Sequence, residues 1–241
     1  MNFLKFLNFI TNKDMMLTTK LTALDRVFDV YDRYYATLDV TCKKYCAHCC
    51  TSNVTLTTLE GYKIVDHLIA TGRSGIIGGV QHIAAATRYQ PQISTNRLAE
   101  LYAAEAKVPE EEMPAESEQC SLLAKSLCSI YDQRPFGCRC FISRKNCAET
   151  GYADIDEFTA SVNTVFLQTI EHLDADGCSG NLIDVLQVMA SEDNRRAYAK
   201  NQLKCETSGL IVNWSLKVLM IPPEHRTRME PILQELRQIK I

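Results

Sequence analysis

This sequence predicts a mainly α fold, and three observations predict it. Apolar residues recur at steps of three and four through most of the 241 residues. Capping pairs and glycines fall where helices of that spacing would start and stop. No internal repeat and no clear β-hairpin signal interrupts the pattern. Inside that helical body, eight of the eleven cysteines crowd into two short blocks. The expected fold is therefore a helical domain built around a cysteine-ligated metal or iron–sulfur centre.

The first sixteen residues, MNFLKFLNFITNKDMM, read as an N-terminal extension. Lys5 and Asn8 interrupt its apolar run, which is too short for a membrane helix and has no small-residue cleavage site after it. Residues 17–150 are the expected cysteine-cluster region. Residues 151–241 are a C-terminal helical region packed on it, the whole being long enough for one domain or one and a half.

Leu17, Leu21, Leu24, Phe28, Tyr31, Tyr35 and Leu38 make an amphipathic helix that delivers the chain to Cys42. Thr57 and Glu60 then form a capping box. It opens a helix carrying Leu59, Tyr62, Val65, Leu68 and Ile69, closed at Gly72. The glycine-dense stretch 72–79 lacks the Lys-Ser/Thr of a phosphate loop and reads as a flexible interhelical turn. Val80, Ile83, Ala84 and Thr87 predict a short helix. Ser94 or Thr95 caps another that turns Leu98, Leu101 and Tyr102 inward. Residues 107–119 hold two prolines and five glutamates and read as a solvated loop, with Glu116 or Glu118 as minor ligand candidates.

Beyond the second cysteine block, Asp154 and Glu157 form the next expected capping pair. The helix they start buries Phe158, Val162, Val165, Phe166, Ile170 and Leu173. Gly177 and Gly180 bracket Cys178 in a break. Leu182, Ile183, Leu186 and Met189 begin a further helix, and Ser191 caps one running to Leu203. The stretch LIVNWSLKVLMI, 210–221, fits a buried helix by length and a strand by alternation. Pro222 and Pro223 end it. Met229, Ile232, Leu233, Leu236 and Ile239 predict a terminal helix with Pro231 near its first turn.

A net charge of −3 gives no basic field, which argues against nucleic acid as a partner. Nothing supports stable membrane insertion, and the partner class left open is an unknown protein or peptide. The odd cysteine count and the adjacent pair Cys49–Cys50 argue against a disulfide framework. They point to a reducing, cytoplasmic setting where thiolates ligate rather than pair.

The upstream block is Cys42-x3-Cys46-x2-Cys49-Cys50, and the downstream block supplies Cys120, Cys128, Cys138 and Cys140. Thiolates are soft donors that select zinc, copper(I) or iron–sulfur clusters. A Cys-x2-Cys step lets one turn present two sulfurs to one ion. Adjacent cysteines point apart, so Cys49 and Cys50 suit a centre of several metal atoms, or one ligand and one packing thiol, better than one closed zinc. Tyr131, Arg134 and Arg139 are the candidate cofactor contacts, the arginines through hydrogen bonds to sulfur or by offsetting thiolate charge. His48 is a weaker ligand candidate. Cys147 reads as peripheral, Cys178 as a lesser candidate for the site, and Cys205 as a helix-packing thiol. His67, His82, His172 and His225 are scattered.

These motifs resemble the cysteine-cluster proteins of the YkgJ family, described as zinc- or iron-chelating domains. Cys46-x2-Cys49-Cys50, Cys128-Ser-Ile130-Tyr131-Asp-Gln-Arg134-Pro135 and Cys138-Arg139 carry the resemblance, which covers about residues 40–142. The chain departs from the pattern in the three-residue spacer after Cys42, in His48 at a position often glycine, and in Ser121 where proline is usual. The resemblance implies metal chelation, with an iron–sulfur cluster or zinc as cofactor. It also implies an alternative, a cluster-dependent enzyme that modifies a protein or peptide, because some relatives resemble a lysine methylase. Cys42-x3-Cys46-x2-Cys49 has in addition the spacing of radical S-adenosylmethionine enzymes, whose fold alternates strands and helices.

Overall fold

The computed structural model of the chain describes residues 16–81, 88–112, 114, 118–205 and 209–239. About half of the described residues are helical and few are in strands, so the fold is mainly α. The expected helix over Val80–Thr87 and the N-terminal extension lie largely outside the described residues. Among those residues no helix is long and apolar enough to cross a membrane.

The first helix, α1 (Leu17–Tyr35), buries Ala23, Leu24, Val27, Phe28, Val30 and Tyr31; of the predicted stripe Leu24, Phe28 and Tyr31 are buried, Leu17, Leu21 and Tyr35 are half-buried, and Leu38 lies past the helix end. A three-residue strand, β1 (Thr55–Thr57), runs straight into α2 (Thr58–Ala70). The expected capping box is present. Thr57 Oγ1 accepts from Glu60 N at 3.3 Å, and Glu60 Oε2 accepts from Thr57 N at 2.9 Å. Gly72, at φ 69°, takes the left-handed conformation that ends such helices. The stretch 72–79 is not a plain turn, however: it winds into a short helix, α3 (Gly75–Gln81), that packs on a later helix.

In α4 (Thr95–Ala103) the buried positions are Asn96 and Ala99, while Tyr102 is exposed. A polar anchor overrides the apolar spacing. Asn96 Nδ2 donates to the carbonyls of Gln168 and Trp214, at 3.0 and 2.9 Å, which fixes the face this helix presents. A hairpin follows, β2 (Leu123–Ala124) and β3 (Leu127–Cys128), where none is signalled. Its two-residue turn, Lys125–Ser126, has both residues at positive φ, 51° and 63°, in the sense that matches strand twist. It contains no Gly, Asn or Asp, so nothing in the sequence announces it.

Two short helices, α5 (Phe136–Arg139) and α6 (Cys147–Thr150), lead to the long α7 (Glu157–Leu173). Its cap is Asp156, whose Oδ1 accepts from Thr159 N at 3.0 Å, rather than Asp154, which is paired with Arg144 at 2.8 Å. All six predicted apolar positions of α7 are buried. The Gly-bounded break after it is a strand, β4 (Cys178–Asn181), at the centre of an antiparallel sheet ordered β1–β4–β5. Leu56 faces Gly180 across the first pairing. Asn181 and Ser191 cap α8 (Leu182–Ala190) and α9 (Glu192–Ala199), and α9 stops before the predicted Leu203, at left-handed Asn201.

Residues 210–221 are neither helix nor full strand. Only Ile211–Val212 pair, as β5, and the rest runs extended along α7. Side chains of α7 serve its backbone as a sheet edge would. Glu171 accepts from Trp214 N at 2.7 Å, His172 Nδ1 from Leu216 N at 3.1 Å, and Gln168 Oε1 from Met220 N at 2.9 Å. The terminal helix, α10 (Arg226–Arg237), buries Met229, Ile232, Leu233 and Leu236.

One apolar cluster joins α1, α2, α7, α8 and α10. At its polar centre, Asp174 accepts from Thr58 Oγ1 (2.7 Å), Leu59 N (2.9 Å), Tyr198 Oη (2.6 Å) and Asn213 Nδ2 (3.2 Å). Cys178 and Cys205, read above as a site candidate and a packing thiol, are joined in a disulfide beside it, with Cα atoms 5.7 Å apart. For that pair, thiols that ligate rather than pair is a wrong expectation. Both residues are buried, and neither lines the cavity described below.

Candidate functional site

The first cysteine block follows α1 and is tied down where it begins. Thr41 N donates to Ser143 O at 2.9 Å, and Tyr35 Oη to Cys42 O at 3.3 Å. Cys46 N closes a turn on Lys43 O, with Tyr45 between them at φ 75°, a conformation unfavourable for a bulky residue. Cys50 N donates back to Ala47 O, so the block folds as two consecutive tight turns.

The second block then docks on the first as a strand would. Cys120 N donates to Cys50 O and Ser52 N to Glu118 O, both at 2.9 Å, around an antiparallel bridge between Thr51 and Gln119. The hairpin β2–β3 brings Cys128 opposite Leu123, one turn beyond Cys120. Pro135 sets the start of α5, and Cys138 N and Cys140 N close on Pro135 O and Phe136 O.

Four residues hold α5 in place, and none of them reads as a site residue from the sequence. Glu60 uses its second oxygen, Oε1, to accept from Phe136 N at 2.7 Å. Asn163 of α7 donates to Cys140 O at 3.1 Å and accepts from Tyr31 Oη at 2.8 Å. Tyr31 meets Phe136 edge-on at 4.7 Å between ring centroids. Gly137 lies so close to β1 that an added Cβ would stand 2.6 Å from Thr55 O and 3.1 Å from Val54 Cγ1. The glycine beside Cys138 was the one available signal.

Seven cysteines, Cys42, Cys46, Cys49, Cys50, Cys120, Cys128 and Cys138, line one cavity of about 150 Å³. Tyr31, Tyr35, Tyr131, Arg134 and Arg139 complete much of its wall. Cys140 adjoins the cavity but turns its sulfur toward Gly137 O, 3.6 Å away. Cys147 sits further out on α6, and His48 is exposed away from the cavity. Glu118 serves through its carbonyl alone, while Glu116 and His82 lie outside the described residues. His225 is bonded to Ser161 and His172 to Leu216, and neither lines the cavity.

The arginines do not reach sulfur. Arg134 donates to Tyr131 O at 3.0 Å and lies 3.8 Å over the Tyr131 ring. Arg139 donates to Arg134 O at 2.9 Å, covers Phe28 and pairs with Asp32. Charge is the other expected role, and Arg134 fills it: its guanidinium favours the thiolates of Cys49, Cys128 and Cys138.

Burial opposes that pull. It is the main cause that raises the thiols of Cys42, Cys120, Cys128, Cys138 and Cys140, the last to about 12. Cys49 is raised chiefly because its thiol donates to Cys50, and the same bond lowers Cys50. Gathering so many thiols in a half-buried wall therefore holds most of them protonated until a cation displaces the protons. Among the described residues, no three His, Cys, Asp or Glu side chains are drawn close enough to hold a metal ion as they stand. The donor chemistry nonetheless fits a thiophilic metal, since the groups around the cavity that bind such metals are almost all sulfur. No protein-family model, no curated protein and no solved structure matches the chain.

Proposed function

We propose that this chain is a metal-binding protein whose two cysteine blocks together hold an iron–sulfur cluster or zinc. The observation that carries the reading is the convergence on one cavity of seven cysteines from segments as far apart as Cys50 and Cys120. The motifs shared with the zinc- or iron-chelating YkgJ family support it. Such a group would supply Lewis-acid or electron-transfer chemistry. The chain's own part is to present Cys42, Cys46, Cys49 and Cys50 on two tight turns and Cys120, Cys128 and Cys138 on a hairpin and a helical turn. Cys140 stands behind them, and Arg134 offsets the thiolate charge.

Anaerobic purification followed by iron, zinc and acid-labile sulfide analysis tests the reading. Stoichiometric metal is expected, lost from Cys50→Ser and Cys128→Ser but retained in Cys147→Ser. A well-folded chain that binds neither iron nor zinc overturns it.

A second reading is a cluster-dependent, methylase-like enzyme acting on a protein or peptide. The aromatic and charged wall favours it, because Tyr31, Asp32, Tyr35 and Arg139 face the same space as the thiols. A radical S-adenosylmethionine enzyme fits less well, since strands of two to four residues do not alternate with the helices in order. A change in the visible spectrum of the loaded protein on adding S-adenosylmethionine would favour the enzyme; no change favours chelation alone.

A further inference from the structure

We infer that the cavity holds two thiolate sets rather than one: an inner set of Cys50, Cys120, Cys128 and Cys138, and an outer set of Cys42, Cys46 and Cys49. The inference rests on the metal-binding reading and specifies its ligands.

Backbone geometry divides them first. Cys50 is locked to Cys120 across the antiparallel bridge, Cys120 begins the turn that leads into the hairpin, and Cys128 ends that hairpin. Cys138 lies on the helical turn that Glu60 and Gly137 press against β1. Cys50, Cys120 and Cys128 therefore belong to one hydrogen-bonded unit, and Cys138 comes to the cavity on the turn packed against β1. Cys42 and Cys46 belong to another, tied to Ser143 and Lys43.

Burial marks the two ends of that division: Cys120, Cys128 and Cys138 pack against the apolar core and Cys46 is exposed, with Cys42, Cys49 and Cys50 half-buried between them. The adjacent pair Cys49–Cys50 is where the sets meet, one residue serving each.

Four sulfurs are the usual ligand count of a structural zinc, so metal that draws the inner set together would make a closed site. Three sulfurs leave one coordination position free, on a cavity that Tyr45 and Arg134 also line. The inner set is thus the structural site, and the outer set is the site where an exogenous ligand would meet the metal.

Stepwise metal loading of the full wild-type chain tests this without any variant that might misfold. The metal-free protein is given zinc alone, at one and then two equivalents, and alkylated briefly with iodoacetamide. Labelling is read at each cysteine by mass spectrometry. At one equivalent, Cys50, Cys120, Cys128 and Cys138 are expected to label about tenfold more slowly while Cys42 and Cys46 stay reactive. The outer thiols gain protection only with the second equivalent. Simultaneous protection of all seven at one equivalent means a single shared centre and overturns the division, as does protection of the outer thiols first. No protection with zinc, nor with ferrous iron and sulfide, sinks the metal-binding reading itself.

Discussion

Glu60 is buried, and its carboxylate serves two elements at once. One oxygen completes the capping box of α2 and the other holds the first amide of α5. The capping half was legible, because Thr57 and Glu60 are three residues apart and the motif is local. The half that matters to the site was not, because Phe136 lies 76 positions away. Gly137 is the companion constraint. Gly137→Ala is expected to cost about 1–3 kcal/mol by pushing α5 off β1, and to weaken metal retention with it. Gly75→Ala, where an added Cβ meets nothing within 4 Å, should change neither. Chemical denaturation and metal analysis of the two variants check this, and equal behaviour would remove the role given to Gly137.

Elements whose apolar spacing decides their packing were readable: α7 and α10 bury the stripes their sequences show, and α1 and α2 bury the middle of theirs, with Leu17 and Tyr62 half-buried and Ile69 exposed. The strands were not, for physical reasons. Each is two to four residues long, and β1 pairs with β4 across more than 120 positions. The β2–β3 turn uses Lys125 and Ser126 in a conformation normally left to Gly and Asn. Residues 210–221 were ambiguous because their backbone partners are side chains of a helix, which no periodicity reports. At this scale the Cys178–Cys205 disulfide ties β4 to the segment after α9. It closes a loop of 27 positions, a constraint on the unfolded chain worth about 3–4 kcal/mol. Replacing both cysteines by alanine should lower unfolding free energy by about that amount and leave metal content unchanged. Loss of metal in that variant would tie the disulfide to the cysteine site.

For the whole molecule, two buried groups at the end of α7 make stability depend on pH in opposite senses. Burial raises Asp174 from 3.8 to about 6 and lowers His172 from 6.5 to about 4. The raised carboxyl contributes stability that is complete below about pH 4 and lost as pH rises through 6. The lowered imidazole contributes stability that is complete above about pH 6.5 and lost as pH falls through 4. Each shift corresponds to roughly 3 kcal/mol. Relative to wild type, Asp174→Asn should therefore lose stability on acidification from pH 7 to 4, and His172→Asn should gain it. Thermal melts across that range read both slopes, and parallel curves for all three proteins would refute the assignment.

The bridge between Cys50 and Cys120 has a consequence in time as well as in space. These residues are 70 positions apart, so at about 5–20 residues per second the ribosome needs roughly 4–14 s to travel from one to the other. Throughout that interval the first four thiols are already emerging, and the segment that will roof them has yet to be made. Oxidants and stray ions meet this chain at its most open while it is still being born.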